Sequence, residues 1–246
     1  MIHPTAIIEE NVTLGKNCRV WAFAHIRTGA TIGDNCIIGE GAHIDYNVTI
    51  GDNCKIQNHA LIYHGVTFVI PSVNRPTLQA SIDSLIMQSN PNWQCVIVYD
   101  GVDGSDFDDP RIRTIRANKL GGFGQTGMAG LVRNIGIETV DTEWVAFLDD
   151  DDTLMLGYVE KLLSKYKEFD AVVFRMKYPN GVIIPLPHDS GMYFCNVGIS
   201  FAYKMREPKI LFDSNRNGED FDMVQKLQGI YSRFIVADEV MYNVRH

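Results

Sequence analysis

Along residues 2–68 the apolar positions recur neither at helical spacing nor in alternation, but every six residues. The series is Ile2, Ile8, Leu14, Val20, Ile26, Ile32, Ile38, Ile44, Ile50, Ile56 and Ile62, and Phe68 continues it. Four residues after each comes a small apolar one, from Ala6, Val12 and Cys18 through Cys36 and Ala42 to Cys54, Ala60 and Val66. Self-similarity at a fixed period marks a repeat architecture. Each hexad makes one flat face of a triangular coil, with the large aliphatic inside and the small residue where the chain turns. Glycine and asparagine near the turns (Gly15, Asn17, Gly33, Asn35, Gly51, Asn53) suit the backbone angles needed there. Three hexads close a coil, so residues eighteen apart stack. Cys18, Cys36 and Cys54 stand at that spacing and read as an interior ladder, not as disulfides or zinc ligands; no CxxC pair exists. His25 and His43 stack by the same rule, on one outer corner, in surface or subunit-interface roles, while His59 and His64 fall in the last coils.

From residue 69 the pattern changes to buried runs alternating with amphipathic stretches. "TFVIPSV" reads as a strand, with a new strand beginning at Val69, directly after the repeat. Thr77 then caps a helix through Gln88 with Leu78, Ile82 and Leu85 on one face. Further strands are read at 95–100, at "RIRTIRA", at 144–149, and at "AVVFRMKY" and "GVIIPL", the last two joined by an Asn180-Gly181 hairpin signal. Helices are read from about Thr126 to Thr139, Leu154 to Tyr166 and Glu219 to Leu227, and Gly121–Gly124 forms a loop. Strands joined by helices imply a mainly parallel, Rossmann-like α/β sheet. The domain organisation predicted is therefore 1–68, an all-β repeat, and 69–246, an α/β domain. In such sheets ligands sit at the carboxyl ends of strands, where Asp100 and Asp149 fall.

Composition narrows the function classes. The 246 residues carry a formal net charge of -8, which gives no nonspecific attraction to nucleic acid or anionic lipid. No apolar run approaches a membrane span. The N-terminus has no signal-peptide pattern, so a cytoplasmic protein is expected.

The strongest chemical signal is Phe147-Leu148-Asp149-Asp150-Asp151-Asp152. An apolar strand delivering carboxylates to its end suits a hard cation, Mn²⁺ or Mg²⁺, whose shell diphosphate oxygens complete. The bland alternative is a solvated turn, with Asp152 capping the next helix. Glu219-Asp220 alone would be an acidic helix N-terminus, Asp100 a turn residue and Arg133 a surface charge. "DGVDGSDFDD" lacks the spacing of a calcium loop, and Gly121-Gly122-Phe123-Gly124 does not match a dinucleotide fingerprint.

The repeat, including "IHPTAIIEENVTLGKNC" and "IGDNCKIQNHALIYHGV", resembles the left-handed β-helix N-acetyltransferases of nucleotide-linked amino sugars. That family forms trimers and binds acetyl-CoA between subunits along later coils. Here the repeat stops after fewer than four coils, which implies a homotrimerisation module in which acetyltransfer is lost. The second segment is similar to family 2 glycosyltransferases of GT-A fold. The match rests on "VIPSVNRPTLQASIDSLIMQ" with "WQCVIVYDG", then "GLVRNIGIETVDTEWVAFLDDDD", then "NGEDFDMVQKL", in the family's order. The resemblance implies that Asp100 recognises the base of the nucleotide, with Pro71, Ser72 and Arg75 around it and Arg133 near the nucleotide. It implies that Asp149 and Asp151 are the outer acids of a DXD motif. Asp151 binds metal, Asp149 binds the ribose or a metal-bound water and so counts with the metal residues, and Asp150 lies close by. Asp220 is the implied catalytic base, with Glu219 second.

The activity implied is inverting, metal-dependent transfer from a nucleotide-sugar, UDP first with dTDP and GDP open, to a hydroxyl of a glycan or glycolipid. No QxxRW motif follows, so single addition is expected. His188 or Asp189, in "PLPHDSGMYFCNVG", are candidates to touch acceptor or metal. The alternatives are a nucleotide-amino-sugar N-acetyltransferase and a non-catalytic sugar-binding domain on a β-helix scaffold.

Overall fold

A computed structural model describes residues 1–46, 48–120, 128–187, 191, 194–213 and 218–245, with Leu61, Tyr63 and His64 as backbone only. The loop read at Gly121–Gly124, the helix start read at Thr126, and His188 and Asp189 lie outside the described residues. The chain divides into two compact units, Met1–His64 with Asp141–Glu143, and Gly65–Val140 with Trp144–His246.

The first unit is a stack of two-residue strands: β1 (Ile7–Ile8), β2 (Thr13–Leu14), β3 (Arg19–Val20), β4 (His25–Ile26), β5 (Thr31–Ile32), β6 (Ile37–Ile38), β7 (His43–Ile44), β8 (Thr49–Ile50) and β9 (Lys55–Ile56). They pair in parallel at the expected spacing: Ile8 with Ile26 and Ile26 with Ile44, Ile32 with Ile50, Ile38 with Ile56. Three ladders result, β1-β4-β7, β2-β5-β8 and β3-β6-β9, which is the triangular coil that the hexads predict. Val20, Ile26, Ile32, Ile38 and Ile44 are sealed inside, each contributing about 1.5–3 kcal/mol by burial. Asn17, Asn35 and Asn53 take positive φ at successive turns, which asparagine tolerates better than most residues. A Cβ on Gly33 would come within 2.7 Å of the Gly51 carbonyl carbon in the next coil, so stacking requires glycine there. Cys18, Cys36 and Cys54 are free thiols, and Cys18 and Cys36 each donate to a carbonyl of the adjacent coil at 3.1 Å. His25 and His43 do stack, edge to face at 5.1 Å, but they lie within β4 and β7, on a face and not at a corner.

The strand read at 67–73 is the C-terminal part of a longer one, β10 (Leu61–Ser72), so no new strand begins at Val69. Within the second unit β10 runs parallel to β11 (Trp93–Asp100), and β11 to β12 (Ile112–Ala117). Beside β10 lies β13 (Thr142–Phe147), then β17 (Phe201–Lys204), β15 (Ala171–Lys177), β18 (Phe234–Asn243) and β14 (Thr153–Leu154); β16 (Ile183–Ile184) pairs with β15. β17 is antiparallel to both of its neighbours, which makes the sheet mixed on that side. Neither β17 nor β18 was evident from the pattern: β17 has four residues, and β18 shows no clean alternation of buried and exposed positions. The predicted hairpin between β15 and β16 is present, with Gly181 at positive φ.

The helices are α1 (Leu78–Ile86), α2 (Ala129–Ile137), α3 (Tyr158–Ser164) and α4 (Glu219–Ile230). Two expectations fail at their ends. Thr77 makes no side-chain capping bond, and its buried hydroxyl has no partner among the described residues. The helix read from Leu154 starts instead at Tyr158 behind Gly157, and residues 153–154 form β14. Asp152 therefore caps no helix. Phe68, Trp144, Phe147, Phe174 and Tyr203 are fully buried between the sheet and its helices.

Candidate active site

The site begins where β13 ends. Phe147 and Leu148 are fully buried, which anchors the acid run at the sheet edge. The turn is held from beneath. The Asp149 N–H donates to the Tyr242 hydroxyl at 3.0 Å, and the Ser81 hydroxyl donates to the Asp152 carbonyl at 2.7 Å. The four acids then part company. Asp149, Asp151 and Asp152 each bring a carboxylate oxygen within 4.8 Å of the others. Asp150 turns away and is buried, accepting from the Ser72 hydroxyl at 2.7 Å and from Arg75 at 3.0 Å.

Two arginines balance this charge. Arg75, half exposed, also reaches Asp151 at 2.6 Å. Arg133 on α2 is only 3% exposed and spans three acids: Asp149 at 2.6 Å, Glu219 at 2.9 Å and Asp220 at 3.7 Å. Burial works against its charge, but Asp149, Asp220 and Glu219 more than offset this, so its pKa stands above the ordinary arginine value. Glu219 also accepts the Gly130 N–H at 3.0 Å in the first turn of α2. A Cβ at Gly130 would meet that carboxylate at 2.8 Å and Phe212 at 2.9 Å, so glycine is what permits the approach. Both Glu219 oxygens are thereby committed.

A cavity of about 390 Å³ opens at this edge. It is lined by Pro71 and Ser72 at the end of β10, Arg75 just after it, Asp100 at the end of β11, Arg133 from α2, and Asp149, Asp150 and Asp151. The residues proposed for nucleotide and metal thus surround one space. Asp100 accepts the Leu120 N–H at 2.8 Å, which orients its carboxylate. A second cavity, about 250 Å³, shares Asp149 and Asp151 with the first and adds Asp152 and Asp220. Of the predicted site residues that are described, Glu219 alone lines neither.

Asp220, at the first turn of α4, has one carboxylate oxygen buried without a hydrogen-bond partner among the described residues. Burial pushes its pKa up to about 7; Arg133 opposes this, and Asp149 and Glu219 add to it. Burial likewise raises Asp152 to about 6, against an N–H donated by Arg245 at 3.0 Å. Sequence reasoning missed Asp152 as a member of the acid triad, and missed Tyr242 and Ser81, which hold the turn. Tyr242 and Asp149 are 93 residues apart, and no spacing signal connects them.

The acid triad fits a divalent cation. Hard oxygen donors on one short turn, with Asp149 and Asp151 lining two cavities that can admit further oxygen ligands, are what Mg²⁺ and Mn²⁺ require. It is the one such group of three among the described residues.

Comparison with known proteins agrees with this geometry. Residues 67–227 match the family "Glycosyl transferase family 2", and the chain belongs to it. The N-terminal segment matches "Bacterial transferase hexapeptide (six repeats)" over residues 29–64 and "Hexapeptide repeat of succinyl-transferase" over residues 5–45. The chain is 27% identical to glycosyltransferase GlyA of Streptococcus pneumoniae over 164 residues, covering 63% of this chain and 22% of GlyA. It is 32% identical over 108 residues to WfgD of Escherichia coli, named a UDP-Glc:alpha-D-GlcNAc-diphosphoundecaprenol beta-1,3-glucosyltransferase, covering 40% of each chain. The chain therefore spans less than half the length of these relatives. Among solved structures, S. aureus TarS residues 1–349 align with a TM-score of 0.58 at 18% identity, covering 73% of this chain and 60% of that one, which shows the shared fold.

Proposed function

We propose that residues 69–246 catalyse inverting, single-addition transfer of a sugar from a nucleotide-diphosphate donor to a hydroxyl of a glycan or glycolipid acceptor. The observation that carries this reading is the pair of cavities meeting at Asp149 and Asp151, one lined by the nucleotide-binding candidates and the other by Asp220. UDP is the first choice of nucleotide: WfgD is named for a UDP-sugar, and TarS, alike in fold, is described in complex with UDP-GlcNAc. Pro71, Ser72, Arg75 and Asp100 hold the nucleoside, and Asp149 faces the ribose and diphosphate.

Mn²⁺ or Mg²⁺ held by Asp149, Asp151 and Asp152 would offset charge on the diphosphate leaving group. Asp220 takes the proton from the acceptor hydroxyl as that oxygen attacks the anomeric carbon. A pKa near 7 suits a base working near neutral pH. One displacement inverts the anomeric centre. Glu219 positions Arg133, which keeps Asp149 and Asp220 beside one buried cation. The β-helix of residues 1–68 serves as a homotrimerisation module. No helix among the described residues is long and apolar enough to cross a membrane, and we assign the enzyme to the cytoplasm.

A panel of UDP-, dTDP- and GDP-sugars incubated with Mn²⁺, with Mg²⁺ and with EDTA tests the reading. Slow hydrolysis of a UDP-sugar that needs metal and is lost in Asp151→Ala is expected. A panel left intact under every condition would refute it.

A further inference from the structure

Taking that transferase reading as given, we propose that Arg75 is a built-in competitor for the divalent cation. It holds Asp151 until the donor diphosphate draws it away, so that cation and nucleotide bind as one unit. One nitrogen serves two acids: Arg75 Nη1 donates to Asp150 Oδ1 at 3.0 Å and to Asp151 Oδ2 at 2.6 Å. Asp151 belongs to the triad that fits the cation, and one of its oxygens is already held by a positive charge of the chain itself. Arginine stays protonated at any working pH, so only displacement relieves that hold.

The two bonds differ in permanence. Asp150 is buried, and its other oxygen accepts from the Ser72 hydroxyl at 2.7 Å and the Val73 N–H at 3.4 Å. The Ser72 hydroxyl in turn accepts the Asn74 N–H at 2.8 Å, which folds residues 72–75 around Asp150. Asp150 therefore keeps Arg75 at the acid run whatever Asp151 binds. The bond to Asp151 lies nearer to solvent: the Arg75 side chain is 51% exposed and that of Asp151 23%, against 5% for Asp150. It is the bond that yields. Arg133 is different, because it is buried and divided among Asp149, Glu219 and Asp220.

Arg75 opposes a cation at either oxygen of Asp151. At Oδ2 a charge-assisted hydrogen bond is lost. At Oδ1 two positive charges share one carboxylate and repel. A nucleotide diphosphate reverses the balance. Arg75 lines the larger cavity with Asp100 and Arg133, and a guanidinium matches phosphate oxygens as it does a carboxylate. By moving to the diphosphate Arg75 frees Asp151 and keeps a partner of opposite charge. Each ligand thus favours the other, which is a coupling of two binding events. When the nucleoside diphosphate leaves, Arg75 returns to Asp151 and assists release of the cation.

The test is Mn²⁺ binding, read from the electron paramagnetic resonance of the free ion, with Mn²⁺ alone and with saturating UDP. For the native protein UDP should tighten Mn²⁺ at least about fivefold. Arg75→Gln should bind Mn²⁺ alone at least about fivefold more tightly than the native protein, and the tightening by UDP should shrink by a similar factor. Arg75→Lys, which keeps the charge, should stay within about twofold of native for Mn²⁺ alone. A side chain that only shaped its loop would weaken the site when replaced and never improve it. Mn²⁺ affinity unchanged or lowered in Arg75→Gln overturns the inference, as does an equal gain in Arg75→Lys or a UDP effect that survives Arg75→Gln in full. Mn²⁺ bound by the native protein neither alone nor with UDP overturns the transferase reading beneath it.

Discussion

The two units solve the problem of placing side chains in opposite ways. In the β-helix each residue meets its own counterpart one coil away: Ile26 meets Ile44, Asn17 meets Asn35 at 3.1 Å, and His25 meets His43. A single rule, applied repeatedly, fills the interior. In the second unit the site gathers side chains from several distant segments, around residues 71–75, 100, 133, 149–152 and 219–220, and they are held by partners of different types. Redundancy makes the first unit tolerant of a local change in its outer charges and intolerant of a change in its repeat. Convergence makes the second unit fail at single atoms.

The largest expected effect tests that last point. Asp220→Asn should lower transfer by about 10²–10⁴-fold while metal-dependent UDP binding, followed by thermal shift, persists. Next, Asp151→Ala should remove the stimulation of donor hydrolysis by Mn²⁺, a loss of about 10²-fold, read in a metal titration. In the repeat, Ile38→Ala should destabilise the first unit by about 2–5 kcal/mol, read by denaturant unfolding, with the hydrolysis of donor per folded molecule unchanged.

A smaller effect follows from the raised pKa of Asp220. A carboxyl whose folded pKa lies above its unfolded value favours folding fully below the unfolded value, and that contribution is lost as pH rises through the folded one. Melting temperature of the metal-free protein should therefore fall between about pH 4 and pH 7, and Asp220→Asn should flatten that slope. The smallest effect is at the outer face of the repeat. Arg27 and Asp45 pair at 2.9 Å with Arg27 well exposed, so Arg27→Ala should cost no more than about 1 kcal/mol in the same unfolding experiment.

The same contrast explains what could be read from the chain. The register of the β-helix was legible because its interior accepts only a large aliphatic at one hexad position and a small residue at another. Asp100, Asp149, Asp151 and Asp220 were legible because they sit in ordered motifs at strand and helix ends. The supports were not. Tyr242 lies on a strand without clear alternation, and Ser81 resembles any small residue of a helix face. Asp152 reads as a helix cap until Gly157 is seen to take that place. Residues that make the site rigid are chosen by tertiary neighbours, which leave no local pattern.

Titration calorimetry of UDP, with Mn²⁺ and then with EDTA, addresses most directly whether acids from separate segments enclose one cation and a nucleotide diphosphate. Binding that requires Mn²⁺ and weakens at least about tenfold in both Asp100→Ala and Asp151→Ala is the predicted result. Binding of equal strength in EDTA, or one that ignores both substitutions, would contradict the account.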